Sequence, residues 1–198
     1  MAHAQLAPAD LSARQRTGRR ALALIALIAL APIVASYIAY YGPRPAARTN
    51  YGELVDPPGA PQISGTAFDG TAFALSQLRG KWVLLSVDAG CDARCARKLY
   101  ATRQSRLMQG RERDRVVRLW LVSRDADVSS AALADQPGLV AVRADESAIR
   151  ALEASGVPRD GVAIVDPLGN LILRYPPDTD IKRLARDLSH LLAASSIG

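Results

Sequence analysis

The only two cysteines of this 198-residue chain stand four apart, in Gly90-Cys91-Asp92-Ala93-Arg94-Cys95. They follow Lys81 to Asp88, a run of apolar and β-favouring residues that reads as a buried strand. Helical spacing then continues to about Gly110, with Ala96, Leu99, Tyr100 and Leu107 near one face. At such a strand-to-helix junction the backbone N–H groups of the helix N-terminus meet the cysteine loop. The helix dipole favours an anion there, and a thiolate at Cys91 is such an anion. Arg94, Arg97 and Lys98 add positive potential, and residues 94–118 hold nine basic and two acidic side chains.

Two residues at i and i+4 inside a helix have Cβ atoms about 5–6 Å apart, whereas a disulfide needs about 3.5–4.5 Å. A Cys91–Cys95 disulfide therefore requires Cys91 in the loop, swung toward Cys95. A Cu(I) ion bridging the two thiolates tolerates the wider gap and suits soft ligands. Both readings stay open from the spacing. A structural zinc site wants four ligands, and two histidines with no second cysteine pair do not supply them. A purely stabilising disulfide closing so short a loop contributes little by loop entropy, so redox or copper chemistry is the expectation. Asp88, just before the loop, suits either a turn or cap role or the acceptance of a proton from a buried thiol. Phosphate-cradling glycine loops and G-x-S-x-G elbows are missing from the sequence.

The elements around this junction are readable. Thr66 to Phe68 and Thr71 to Phe73 flank Asp69-Gly70 as a hairpin, and Leu75 to Gly80 is a turn. Val116 to Val122 is a second central strand. Ser129 to Ala134 reads as a short helix, and Leu139 to Val142 as a short strand. Asp145 can cap a helix to about Ala154. Gly161 to Asp166 and Leu171 to Tyr175 form a terminal hairpin about Pro167-Leu168-Gly169-Asn170. Asp178 can cap a last helix whose Ile181, Leu184, Leu188 and Leu191 face a core. The alternation is that of an α/β domain with a central mixed sheet.

The formal net charge of +6 first suggests a polyanionic partner. Its distribution argues otherwise. Arg14, Arg16, Arg19 and Arg20 stand against Asp10 in residues 1–20, and Arg44 and Arg48 follow an uncharged stretch. Residues 51–198 carry 19 basic and 18 acidic side chains, so a nucleic-acid partner is not expected. Residues 21–41 are apolar or aromatic apart from Pro32 and Ser36. A bilayer core of about 30 Å needs about 20 such residues as a helix. Tyr37, Tyr40 and Tyr41 suit the headgroup zone, and the arginines put residues 1–20 in the cytoplasm by the positive-inside rule. The expected organisation is a cytoplasmic tail (1–20), a transmembrane helix (21–41), a Pro/Gly-rich linker (42–62) and a folded domain (63–198) in a periplasm-like space. The run is longer than a signal-peptide apolar region and lacks a clean small-residue cleavage site. It is therefore read as a single-pass anchor in the inner (cell) membrane.

The segment from Leu75 through the CDARC loop and its helix resembles the thioredoxin-like superfamily. The five-residue CxxxC motif and the tail Gly161 to Tyr175, with Asp166-Pro167-Leu168-Gly169, are similar to SCO/SenC proteins. The resemblance implies a thioredoxin-like fold with an N-terminal membrane anchor. It implies a part in cytochrome c oxidase (copper centre) assembly, with Cys91 and Cys95 as the redox or Cu(I)-binding pair. The implied partner is an oxidase subunit or another assembly factor. Two positions depart from the family pattern. Ala96 stands where the family has Pro, and Pro158 stands about where its copper-binding His would be. His3 is expected across the membrane, His190 off the apolar stripe of the last helix, and Met108 in a gap-filling core role. The departures shift the expectation from copper delivery toward dithiol chemistry, with a Cu(I) chaperone and a non-catalytic assembly factor as alternatives.

Overall fold

The computed structural model describes residues 8–41, 50–59, 61–129, 133 and 136–197. The chain forms two units, Met1–Arg48 and Thr49–Gly198. The first holds one helix, α1 (Pro8–Tyr41), which begins well before the expected span at residue 21. Its Arg19–Tyr41 portion is 23 residues long with a mean hydropathy of 2.5, and it presents every side chain outward. Tyr37 and Tyr40 each pack against Tyr41, at ring-centroid distances of 4.4 and 4.8 Å. α1 has the length and composition of a single membrane-spanning anchor.

The second unit is built on one eight-stranded mixed sheet in the order β1-β8-β7-β4-β5-β6-β2-β3. The strands are β1 (Glu53–Gly59), β2 (Ser64–Ala67), β3 (Ala72–Ala74), β4 (Trp82–Asp88), β5 (Val116–Ser123), β6 (Leu139–Ala144), β7 (Val162–Val165) and β8 (Leu171–Tyr175). β4, β5 and β6 are parallel, and every other pairing is antiparallel. The helices are α2 (Ala93–Leu107), α3 (Glu146–Ala154) and α4 (Ile181–Ala194), with 3-10 turns at Leu75–Leu78 and Gly110–Arg115. Alternation along β4 divides the core. Val83, Leu85 and Val87 join Ile149 and Leu152 of α3 on one face, and Trp82 and Leu84 join Leu184 and Leu188 of α4 on the other.

Several sequence expectations are corrected. The stretch read as linker to residue 62 contributes β1, an edge strand paired antiparallel with β8. Its pairing breaks between Leu54 and Gly59, around Asp56-Pro57-Pro58, and an edge strand tolerates prolines whose missing N–H would break a central ladder. The start of the unit is also fastened. The buried Asp187 carboxylate accepts from Tyr51 N (3.1 Å), Gly52 N (2.8 Å) and Tyr175 Oη (3.1 Å). α4 is capped by Asp180, which accepts from Arg183 N at 2.8 Å, and not by Asp178. Asp145 sits at the N-cap of α3 but spends its carboxylate on Arg124, 2.6 Å away. The buried face of α2 is Cys95, Lys98, Leu99, Ala101, Thr102 and Ser105, while Ala96, Tyr100, Leu107 and Met108 are exposed. Most of the helix expected over Ser129–Ala134, and His3, lie outside the described residues.

Candidate functional site

β4 is buried along its whole length and ends at Asp88, and the chain turns through Ala89 and Gly90 to Cys91. α2 begins at Ala93 because Asp92 caps it. The Asp92 carboxylate accepts from the N–H groups of Arg94 and Cys95, both at 2.9 Å. These bonds, with the attraction of the Arg94 charge, hold the Asp92 carboxyl below the ordinary carboxylate range. Cys91 therefore lies in the loop and Cys95 in the first helical turn. The two are joined as a disulfide with Cα atoms 5.0 Å apart, the arrangement that the Cβ argument requires. Cys91 is half-buried and Cys95 is 1% exposed. Of the pair, Cys91 is the one open to solvent.

Cys95 packs with Leu99, Trp120 and Val122, and Phe68, Ala126 and Val128 close over this cluster. Phe68 comes from the β2–β3 turn and lies nearly parallel to Trp120, with centroids 6.3 Å apart. The Arg143 guanidinium covers Phe68 at 4.4 Å and donates to the carbonyls of Arg124 and Ala126, both at 2.9 Å. This fixes the loop after β5 against the disulfide. The site thus lies at the C-terminal ends of parallel strands, where open α/β sheets place their ligands.

Behind the disulfide stands a buried ion pair. Lys98 Nζ donates to Asp88 Oδ1 at 2.7 Å and to the Val87 carbonyl at 2.6 Å, and Trp120 Nε1 donates to Asp88 Oδ2 at 2.8 Å. Desolvation dominates both partners. It raises the Asp88 carboxyl and lowers the Lys98 ammonium, against the Coulombic attraction between them. Lys98 is therefore not a free cation beside the thiols, and Asp88 is neither an ordinary turn residue nor a cap. The turn Pro158–Gly161 abuts the same end of β4, with Val87 N donating to the Gly161 carbonyl at 3.2 Å. Asp160 within it has a φ of 66°, and its charge bears on both members of the pair.

The basic run 94–118 does not make one surface patch. Lys98 and Arg118 are buried. Arg106 donates to the Val116 carbonyl, and Arg115 to the carbonyls of Leu192, Ser195 and Ile197. Nor does the site gather a further metal ligand. Pro158 is exposed and carries no donor, and His190 is exposed on α4. Among the described residues no group of three or more His, Cys, Asp and Glu side chains could hold a metal ion. Among the described residues Cu(I) would find two thiolates, once the disulfide is reduced, and no third ligand. Trp120, Phe68 and Arg143 carry no signal of the site in the sequence, because only the packing of β5, β6 and the β2–β3 turn around α2 brings them to the cysteines.

A central mixed sheet with a helix-capped disulfide at the end of β4 defines a thioredoxin-like domain. The model of the family described as transmembrane-like, thioredoxin-like, C-terminal domain matches residues 82–195, and the chain belongs to that family. Solved structures of Sco proteins share the fold. Yeast Sco1 is 17% identical with a TM-score of 0.58, covering 71% of this chain and 97% of its own. Apo Sco1 of Thermus thermophilus is 20% identical (TM-score 0.56; 75% and 98%). Copper-bound ScoI of Bradyrhizobium japonicum is 16% identical (TM-score 0.51; 70% and 98%). No curated protein matches by sequence.

Proposed function

We propose that this chain is a membrane-anchored thiol–disulfide protein that works on the cysteines of a copper centre during cytochrome c oxidase assembly. α1 anchors it in the inner membrane with the N-terminus cytoplasmic and the domain periplasmic. Its partner is an oxidase subunit or another assembly factor. The observation that carries this reading is the half-buried Cys91 bonded to the buried Cys95 at the N-terminus of α2. In the reduced form the Cys91 thiolate attacks a partner disulfide and the partner's leaving sulfur departs as a thiolate. Cys95 then attacks the Cys91 sulfur of the mixed disulfide and releases the second partner thiol. Two electrons pass to the partner, and a dithiol reductant of the same compartment restores the pair. Equilibrating the full chain with a dithiothreitol or glutathione series tests this. A catalytic pair titrates within the range of about −120 to −300 mV, and a potential well below −300 mV marks an inert structural bond and sinks the proposal. Full oxidase activity in cells carrying Cys91→Ser and Cys95→Ser would favour a non-catalytic assembly role instead.

The second reading is Cu(I) carriage by the thiolates of Cys91 and Cys95. It is supported by the fold shared with copper-bound Sco structures and by the softness of two thiolates. Against it stands Pro158 at the place where a third ligand is wanted. Titration of the reduced chain with Cu(I) against a competing chelator decides. Stoichiometric binding lost in Cys91→Ser supports carriage, and no cysteine-dependent binding removes it.

A further inference from the structure

Two cations are buried between α2 and the sheet, and among the described residues only one of them has a counter-charge. Lys98 has Asp88. Arg118, on β5 between Leu84 of β4 and Leu139 of β6, is 2% exposed and has no carboxylate partner among the described residues. Its Nε donates to Thr102 Oγ1 at 3.3 Å, and its Nη2 to the Leu99 carbonyl and to Gln136 Oε1, both at 2.7 Å. All three acceptors are neutral. Nη1 is buried and makes no hydrogen bond, a condition shared among the described residues only by Trp82 Nε1. The charges that bear on this guanidinium are those of Arg103 and Arg106, and both repel it. Burial and that repulsion lower its pKa to about 10, so the group remains cationic at neutral pH.

Neutral dipoles satisfy a guanidinium's hydrogen bonds but leave its charge uncompensated, and an unpaired buried charge is among the costliest features a fold can carry. We propose that Arg118 forms a small-anion site between α2 and the chain at Gln136, with Nη1 as the unused donor. A single unused donor suits a monatomic anion, chloride, and not the several oxygens of a phosphate. The site uses neither cysteine and stands whether or not the redox reading holds.

The test is thermal unfolding of the oxidised full chain in a non-ionic detergent, with chloride exchanged for gluconate at constant ionic strength. A saturable rise of the midpoint with chloride, absent in Arg118→Met, is the expected result. A rise that never saturates, or one equally large in Arg118→Met, overturns the proposal. If Arg118→Met does not fold, Gln136→Ala decides. Freeing Nη2 from its amide acceptor gives the anion a second donor and lowers the half-saturating chloride concentration several-fold. An unchanged half-saturation in that variant refutes the site.

Discussion

Removing either partner of the Asp88–Lys98 pair leaves the other as an uncompensated charge in a site where both side chains are at most 3% exposed. Breaking a buried pair in this way costs about 3–5 kcal/mol, whereas replacing both partners by neutral groups of similar shape is often neutral or stabilising. Asp88→Asn keeps an oxygen for the Trp120 N–H and leaves the ammonium unpaired. Lys98→Met keeps the volume of the side chain and leaves the carboxylate unpaired. The titration shifts agree in sign. Asp88 is raised, so its favourable contribution is complete below the unfolded carboxylate value and is lost as pH rises through the folded one. Lys98 is lowered, so its favourable contribution is present above the unfolded lysine value and is lost as pH falls through the folded one. At pH 7 both groups sit in their unfavourable windows. The double variant is therefore expected to lie closer to the wild type than either single variant, with a coupling of about 2 kcal/mol or more. Denaturant unfolding of the oxidised chain at pH 7, followed by tryptophan fluorescence, measures the cycle. Additivity within about 0.5 kcal/mol, or single losses under about 1 kcal/mol, would refute a desolvated pair.

Asp92→Ala removes the acceptor for the Arg94 and Cys95 amides and should speed hydrogen exchange in the first turn of α2. Because the Asp92 carboxyl is lowered, the stability it adds exists above the unfolded carboxylate value and fades as pH falls through the folded one. The wild-type and variant melting curves should therefore converge in acid, and curves that stay parallel contradict the cap. Leu188→Ala, at a fully buried position facing Leu184 and Trp82, should cost about 2–5 kcal/mol and lower Tm by several degrees. Replacing residues 51–59 by a glycine–serine segment of equal length should cost at least as much, since it removes the Tyr51 ring packed on Tyr175, the Glu53–Arg174 ion pair and the Val55 side chain packed on the core. An unchanged Tm would show that this stretch is only a spacer.

The strands β4, β5, β7 and β8 were legible because continuous apolar or β-branched runs bounded by turn residues have few other uses. Helix spacing required Cys91 to lie in the loop if the pair is bonded, but left the choice between disulfide and Cu(I) open. β1 was illegible because its prolines and glycines carry the composition of a linker, and its strand character comes from the partner it meets, β8, more than a hundred residues later. The buried face of α2 was misread for a related reason. Tyr100 and Leu107 have the spacing of core residues, yet the helix buries Lys98 and Thr102 because the sheet beneath offers Asp88 and Arg118 as polar partners, and Ser105 because it donates to the Ile181 carbonyl. A buried lysine is invisible in sequence until the acid that neutralises it is placed.

That placement changes the chemistry expected of the thiols. Nine basic residues after the cysteine loop suggested a strongly electropositive site that would favour a thiolate. In the fold Lys98 is committed to Asp88, Arg118 points beneath the helix, and Arg106 and Arg115 serve backbone carbonyls. The N–H groups of Arg94 and Cys95, which a thiolate at Cys91 would otherwise use, are already taken by the Asp92 carboxylate. A second negative charge at that helix end would compete with Asp92 for the same donors. Disulfides are strongly oxidising when the reduced form is stabilised by such donors. Where the donors are occupied, the reduced form gains less and the pair is a better electron donor. The arrangement therefore favours passing electrons to a partner disulfide, as the proposed function requires.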